Sequence, residues 1–322
     1  MNKWSYTKGL HDLGSSIYAY LQPDGTWGWS NAGIITDGNA SLLIDTLFDL
    51  RLTQEMLDTM RKSIPAAAHI DMLVNTHANG DHYFGNQLVA DAQIIASRQT
   101  AEEMPAAVSP AELAMVLKQA SVLGQLGEYM VHCFGPFAFD NITLTLPKKT
   151  FEGTLSLSVG DKEVRLIEVG PAHTLGDTLV HIPSDRVIFT GDILFIGGHP
   201  IIWAGPTSNW IRACDLILSL DVETIVPGHG PITNKQGVSE LKAYFEYIFD
   251  EARKRYESGM PAFEAAKDIP LDRYATWTDG ERIAVNVASI YRELSGDTTH
   301  PDVLSLFGQM AALMLRPDRT QR

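Results

Sequence analysis

The chain has 322 residues, 45% of them hydrophobic, with a formal net charge of −14 and two cysteines, Cys133 and Cys214. That length and apolar content allow one large core with an appendage, whereas the acidic balance argues against nucleic acid, whose phosphates call for a Lys/Arg surface. Two cysteines cannot build a four-thiolate zinc site. No window approaches the roughly 18 apolar residues of a membrane span, and the start Met1–Tyr6 lacks the basic-then-apolar order of a signal peptide, so a cytoplasmic protein acting on a small molecule, without membrane or nucleic-acid partners, is expected.

In chain order, Ile17–Tyr20 reads as a strand and Pro23-Asp24-Gly25 as a turn. Ala32–Thr36 and Ser41–Asp45 form a hairpin about Asp37-Gly38-Asn39. Met56, Leu57, Met60 and Ile64 carry helical spacing, which predicts a helix over 53–63 that stops before Pro65. A buried strand, Ile70–Asn75, runs into Thr76-His77-Ala78-Asn79-Gly80-Asp81-His82; a helix from about Phe84 to Ala90 and a strand at Gln93–Ala96 follow. This alternation indicates a layered α/β domain. Met104, Met115, Leu117, Leu123, Leu126 and Met130 mark a helical insertion over about 98–135, either a packing appendage or a lid over an apolar ligand. Strands are expected at 155–159, 164–169, 178–182 and 186–190, then a helix over 208–219 capped by Ser208 or Asn209, and a last strand at Thr224–Val226. Helices at about 238–258, 261–268, 279–294 and 301–315 fill the remainder, dividing the chain into a sheet-rich part (1–235) and a helical extension (236–322).

Four strand ends carry chemistry: His77 to His82, Gly170 to Asp177, Phe189 to Asp192, and Val226 to Gly230. In each, an apolar strand meets small residues and then a His or Asp, and strand ends are where ligands converge in α/β sheets. Imidazole and carboxylate donors together suit a borderline divalent ion such as zinc.

These residues resemble the metallo-β-lactamase fold superfamily, whose pattern His-x-His-x-Asp-His corresponds here to His77-x-Asn79-x-Asp81-His82, followed by His173, Asp192 and His229. Ser30-Asn31-Ala32-Gly33, Leu43-Ile44-Asp45-Thr46 and Pro227-Gly228-His229-Gly230 extend the likeness over roughly 15–232. The resemblance implies an αββα sandwich bearing the helical insertion and extension. It places a first metal at His77, Asn79 and His173, a second at Asp81, His82 and His229, and Asp192 between them. Asn79 stands where the family has histidine. A neutral amide oxygen is a weaker donor than imidazole, so one zinc is expected to be tightly bound and a second weak or absent, with Asn79 either a ligand or an amide that orients one.

The implied activity is that of a zinc-dependent hydrolase. Water whose pKa the metal lowers toward ~7 attacks a small, apolar or aromatic ester, lactone, thioester or amide. Asp81 orients that water or accepts its proton. With the first position empty, His77 and His173 are available as general base or hydrogen-bond donor. Hydrolytic dehalogenation of an activated chlorinated aromatic is the alternative; a diiron redox protein and a vestigial metal-binding protein stand further off. Candidate substrate contacts are Trp27 and Trp29 near the first hairpin, and His199, Trp203 and Trp210 after Asp192. His11, His69, His132, His181 and His300 lie outside any motif. The helical extension is expected to complete the pocket or to form a homodimer.

Overall fold

The structure, a computed structural model, describes residues 4–299 and 302–314. The N-terminal half supplies β1 (Gly9–Gly14), β2 (Ile17–Leu21), β3 (Ala32–Asp37), β4 (Ala40–Ile44), helix α1 (Leu50–Ser63), β5 (Met72–Val74) and β6 (Gln93–Ser97). The insertion forms three helices, α2 (Arg98–Glu103), α3 (Pro110–Gln119) and α4 (Gln125–Phe134), before β7 (Lys149–Phe151). Next come β8 (Thr154–Val159), β9 (Lys162–Glu168), β10 (Thr178–Ile182), β11 (Val187–Phe189), α5 (Thr207–Ser219) and β12 (Thr224–Val226). Helices α6 (Lys235–Glu257), α7 (Ala262–Asp268), α8 (Ile283–Ser295) and α9 (Val303–Met314) follow. No helix among the described residues is long and apolar enough to cross a membrane.

The strands form two sheets, one in the order β1-β2-β3-β4-β5-β6-β7, the other β12-β11-β10-β9-β8. Strands β4 to β7 run parallel, as do β11 and β12; every other pairing is antiparallel. Alternation along each strand makes the layers. Ile35, Leu42, Ile44, Val74 and Ile95 pack with Val164, Leu166, Val180, Val187 and Phe189 between the sheets. The alternate residues Ile34, Leu43, Leu73 and Ile94 join Leu52, Met56 and Met60 of α1, while Leu179, Ile188 and Ile225 join Trp210, Ala213 and Ile217 of α5. The result is the expected αββα sandwich. Gly33 permits the close approach of the sheets: a Cβ there would lie 2.2 Å from Phe189 Cε1.

Several local expectations are corrected. Strands β1 and β7 carry little apolar alternation and sit at sheet edges, so the pattern does not announce them. The helix expected from Phe84 to Ala90 is instead a 3₁₀ turn at Asn86–Val89, preceded by another at Gly80–His82. The buried Asn86 amide bonds to Asn75 and to the Thr145 carbonyl, local competition of the kind that breaks a helix. Neither Ser208 nor Asn209 caps α5, which begins one residue earlier, after Pro206. Its first amides donate to the Glu293 carboxylate of α8, Thr207 N at 2.7 Å and Ser208 N at 3.4 Å. Residues 301 and 315, the expected ends of the last helix, lie outside the described residues, as does His300. The tail helices share the core of the sandwich: Phe245 and Ile248 of α6, Val287 and Ile290 of α8 and Phe307 of α9 belong to the same cluster as α1 and α5.

Candidate metal centre

The parallel strands β4, β5, β11 and β12 deliver Asp45, His77, Asp192 and His229 just beyond their C-terminal ends, and the β9–β10 connection adds His173. Each of the four imidazoles is fixed by its outer nitrogen. His82 Nδ1 donates to Asp45 Oδ2 at 2.9 Å, His173 Nδ1 to the Ile201 carbonyl at 2.7 Å, and His229 Nδ1 to the Gly25 carbonyl at 3.0 Å. The Thr76 hydroxyl gives its proton to Asp45 Oδ2 at 2.7 Å and accepts from His77 Nδ1 at 3.0 Å. With Nδ1 protonated in every ring, each Nε2 presents its lone pair inward, the tautomer a metal requires.

The inner atoms are crowded with acceptors. His82 Nε2 lies 3.1 Å from Asp192 Oδ1, and His229 Nε2 lies 3.3 Å from Asp81 Oδ2 and 3.4 Å from Asp192 Oδ2. His77 Nε2, His82 Nε2 and Asp192 Oδ1 are buried with no hydrogen-bond partner. Unpaired buried acceptors are costly, and a cation removes the penalty; two triads, His77–His82–Asp192 and Asp81–His82–His229, are compact enough to hold one. The charges agree. Burial works against a proton on His82 or His229, yet the Asp192 and Asp81 carboxylates hold both above the ordinary histidine value, His229 at about 9. Burial depresses His77 and His173. A divalent ion therefore fits the donor set.

Surrounding residues hold the loops in place. The Ser30 hydroxyl donates to the Asp81 carbonyl at 2.6 Å, and the Asn31 amide donates to the Pro227 and Gly230 carbonyls at 3.0 and 2.8 Å, clamping the loop that carries His229. Gly228 faces the centre, where a Cβ would come 1.9 Å from Asp192 Oδ1. Asn79 meets His173: its Nδ2 lies 2.9 Å from His173 Nε2.

The candidate substrate residues separate into two groups. Trp27 packs against Tyr129, Phe134 and Phe307; Trp203 packs against Phe307, and Trp29 against Phe137. One aromatic wall thus joins the first hairpin, the insertion, the loop after Asp192 and α9. Trp210 is fully buried, donates to the Ile193 carbonyl and sets its ring against His173 and Phe245, so it backs the site rather than opening onto it. His199 is also fully buried, with Nδ1 at Tyr244 Oη and Nε2 at the Tyr274 carbonyl, which leaves no ring nitrogen for a substrate.

Sequence reasoning missed Asp45 as the anchor of His82, although Ile44-Asp45 repeats the strand-end signal of the other loops. It also missed Arg282, whose buried guanidinium lies 4.3 Å over the Trp27 ring and 5.5 Å from that of Phe195. Phe195 in turn stacks on His229 at 5.1 Å. Nothing local in the tail sequence signals that contact.

The metallo-β-lactamase superfamily model matches residues 25–229, more than half of the chain, and the chain belongs to that superfamily. A relative, the 2,4-dinitroanisole O-demethylase subunit alpha of Nocardioides sp. (strain JS1661), is 26% identical over 192 residues, 58% of this chain and 48% of that protein, so the chain spans about half the relative's length. Among solved structures, the stereoselective inverting sec-alkylsulfatase Pisa1 from Pseudomonas sp. has a TM-score of 0.66 at 16% identity, covering 93% of this chain and 52% of that one. A metallo-β-lactamase from Pontibacter korlensis has a TM-score of 0.54 at 16% identity, covering 74% and 99%. At these identities the structural likeness is one of fold.

Proposed function

We propose that the chain is a metal-dependent hydrolase of a small aromatic substrate, directing water at an electron-poor carbon. The observation that carries the reading is the buried convergence of His82 Nε2 on Asp192 Oδ1, 3.1 Å apart, in a ligand-spaced cluster whose carboxylates favour a positive charge there. That arrangement is costly without a cation and argues against a vestigial site.

In this reading Asp81, His82, His229 and Asp192 hold the ion, with His77 beside them, and the nitrogen and carboxylate donors suit zinc. Once bound, the ion supplies a Lewis acid and lowers the pKa of water toward ~7. Asp81, the most exposed member of the set at 8%, takes the proton of the attacking water. Asp45 keeps His82 in its working tautomer, and Asn31 holds the His229 loop. Trp27, Trp29 and Trp203 line the aromatic wall against which a ring would lie.

Between an acyl carbon and an activated ring carbon, that wall favours the ring, and so does a relative named for a dinitro-substituted anisole. Aryl ethers and aryl halides with electron-withdrawing groups are then the leading substrates, which keeps hydrolytic dehalogenation within the proposal; aryl esters follow. The insertion and α9 are proposed to close the pocket, because Phe307 touches both Trp27 and Trp203. A homodimer is a separate expectation, checked by sedimentation.

The test is a panel of nitroaryl methyl ethers, chloronitrobenzenes and nitrophenyl esters offered to the zinc-loaded chain. Phenolate release from the ring substrates, lost in Asp81→Asn with zinc still bound, supports the reading. A folded, zinc-loaded chain inert to the whole panel refutes it, and iron with a visible absorption band would favour the diiron alternative.

A further inference from the structure

We infer that this centre takes one metal ion per chain, and that Asn79 keeps it so by capping the lone pair of His173. His173 Nδ1 lies 2.7 Å from the Ile201 carbonyl, which can only accept, so the ring proton sits on Nδ1 and Nε2 is an acceptor. The Asn79 amide nitrogen, 2.9 Å from that Nε2, donates to it. Turning the amide over would set its oxygen against the same lone pair, so the network itself chooses the orientation. Asn79 is then neither a weak ligand nor a bystander. It occupies the electron pair with which His173 would bind a metal.

The ligand geometry agrees from a second direction. His173 belongs to neither of the compact triads, His77–His82–Asp192 and Asp81–His82–His229, and both triads need His82. His82 Nδ1 is committed to Asp45, so the ring has a single lone pair, on Nε2. One lone pair serves one ion. The triads are alternative or merged seats for the same cation; Asp192 Oδ2 lies 3.8 Å from His77 Nε2 and 3.3 Å from His173 Nε2, whose lone pair faces the Asn79 amide. An imidazole in place of the Asn79 amide would reverse this. Together with His77 and His173 it would make a separate seat of three nitrogens and release His82 to the other position.

The inference rests on the site used in the hydrolase reading, but its readout is metal count rather than turnover. An inactive chain that binds one zinc would overturn the function and leave this inference standing. The experiment titrates metal-free protein with zinc chloride by calorimetry and counts zinc by mass spectrometry after dialysis. One tightly bound zinc in the natural chain and two in Asn79→His are expected. Two tight zincs in the natural chain overturn the inference. So does one in a folded Asn79→His, which would show that Asn79 is not the block. Should that variant fail to fold, long-range proton–nitrogen spectra of the natural chain decide, with the His173 signal assigned through His173→Gln. The first equivalent of zinc should move Nε2 of His82 and leave Nε2 of His173 in place; movement of the latter overturns the proposal.

Discussion

Asp45→Asn tests whether the hydrogen bonds behind the centre set its affinity. Asp45 Oδ2 accepts from both His82 Nδ1, at 2.9 Å, and the Thr76 hydroxyl, at 2.7 Å, while Oδ1 accepts from Thr76 N at 2.7 Å. An asparagine at this position keeps its oxygen for the Thr76 amide, since turning it over would face an amide with an amide. Its NH₂ then points at two former donors. The Thr76 hydroxyl can rotate and accept, but the imidazole can accept only by shifting its proton from Nδ1 to Nε2. That places a hydrogen on the atom that should face the metal. Loss of such a supporting partner costs about 10–100-fold in metal affinity, or roughly 1.4–2.7 kcal/mol. Competition against a chromogenic zinc chelator at fixed pH measures it, and denaturant unfolding of the metal-free protein separates affinity from stability. Zinc affinity within about twofold of the natural chain, in a folded variant, would refute the claim that Asp45 sets the His82 tautomer.

Gly228→Ala should destabilise the fold by about 1–3 kcal/mol and weaken zinc binding, because its Cβ would meet Asp192 Oδ1 at 1.9 Å and Gly191 backbone at 2.7 Å; thermal unfolding and zinc titration report the two effects. Glu293→Ala should cost about 1 kcal/mol in urea unfolding by uncapping the first turn of α5, the Thr207 amide being bonded at 2.7 Å. Arg282→Met should destabilise by about 3 kcal/mol, since it strands the Asp279 carboxylate now 3.2 Å from the guanidinium, and adding Asp279→Asn should recover part of the loss. Asp177 carries a pH signature. Burial raises its pKa to about 8 in the fold, above the ordinary aspartate value of 3.8, so the folded chain holds this proton more tightly. That contribution is full below about pH 4 and is lost as pH rises through about 8. Relative to Asp177→Asn, the metal-free natural chain should therefore lose stability between about pH 5 and about pH 8.5, and a pH-independent difference would contradict the assignment.

The layers and the ligand loops were legible because they rest on local regularities. Apolar runs such as Met72–Val74 and Val187–Phe189 announce buried strands, and the His77 or Asp192 three residues beyond each run announces a site. What was not legible depends on partners distant in sequence. Asn86 reads as part of a helical turn until its amide is found bonded to Asn75 and Thr145. Ser208 reads as a cap until Glu293, 85 residues later, is seen to accept its amide. Trp210 and His199 stand as candidate substrate contacts because they follow Asp192, but that position in sequence says nothing of which way the chain then turns.

The same reasoning changes the standing of the helical tail. From sequence it is a helical extension expected to complete the pocket or to form a homodimer. In the fold its Arg282 lies over both Trp27 and Phe195, donates to the His199 carbonyl at 2.8 Å, and so touches the first hairpin, the loop after Asp192 and the ring stacked on His229. Glu281 beside it accepts from Tyr129 of the insertion at 3.0 Å. Insertion, hairpin and tail thus meet in one buried polar knot outside the ligand set. A buried guanidinium is tolerated only where its partners are fixed, so this knot ties the aromatic wall to the His229 side of the centre. The superfamily match ends at residue 229, before the tail begins, and it is the tail's Arg282 and Phe307 that pack on the Trp27 ring.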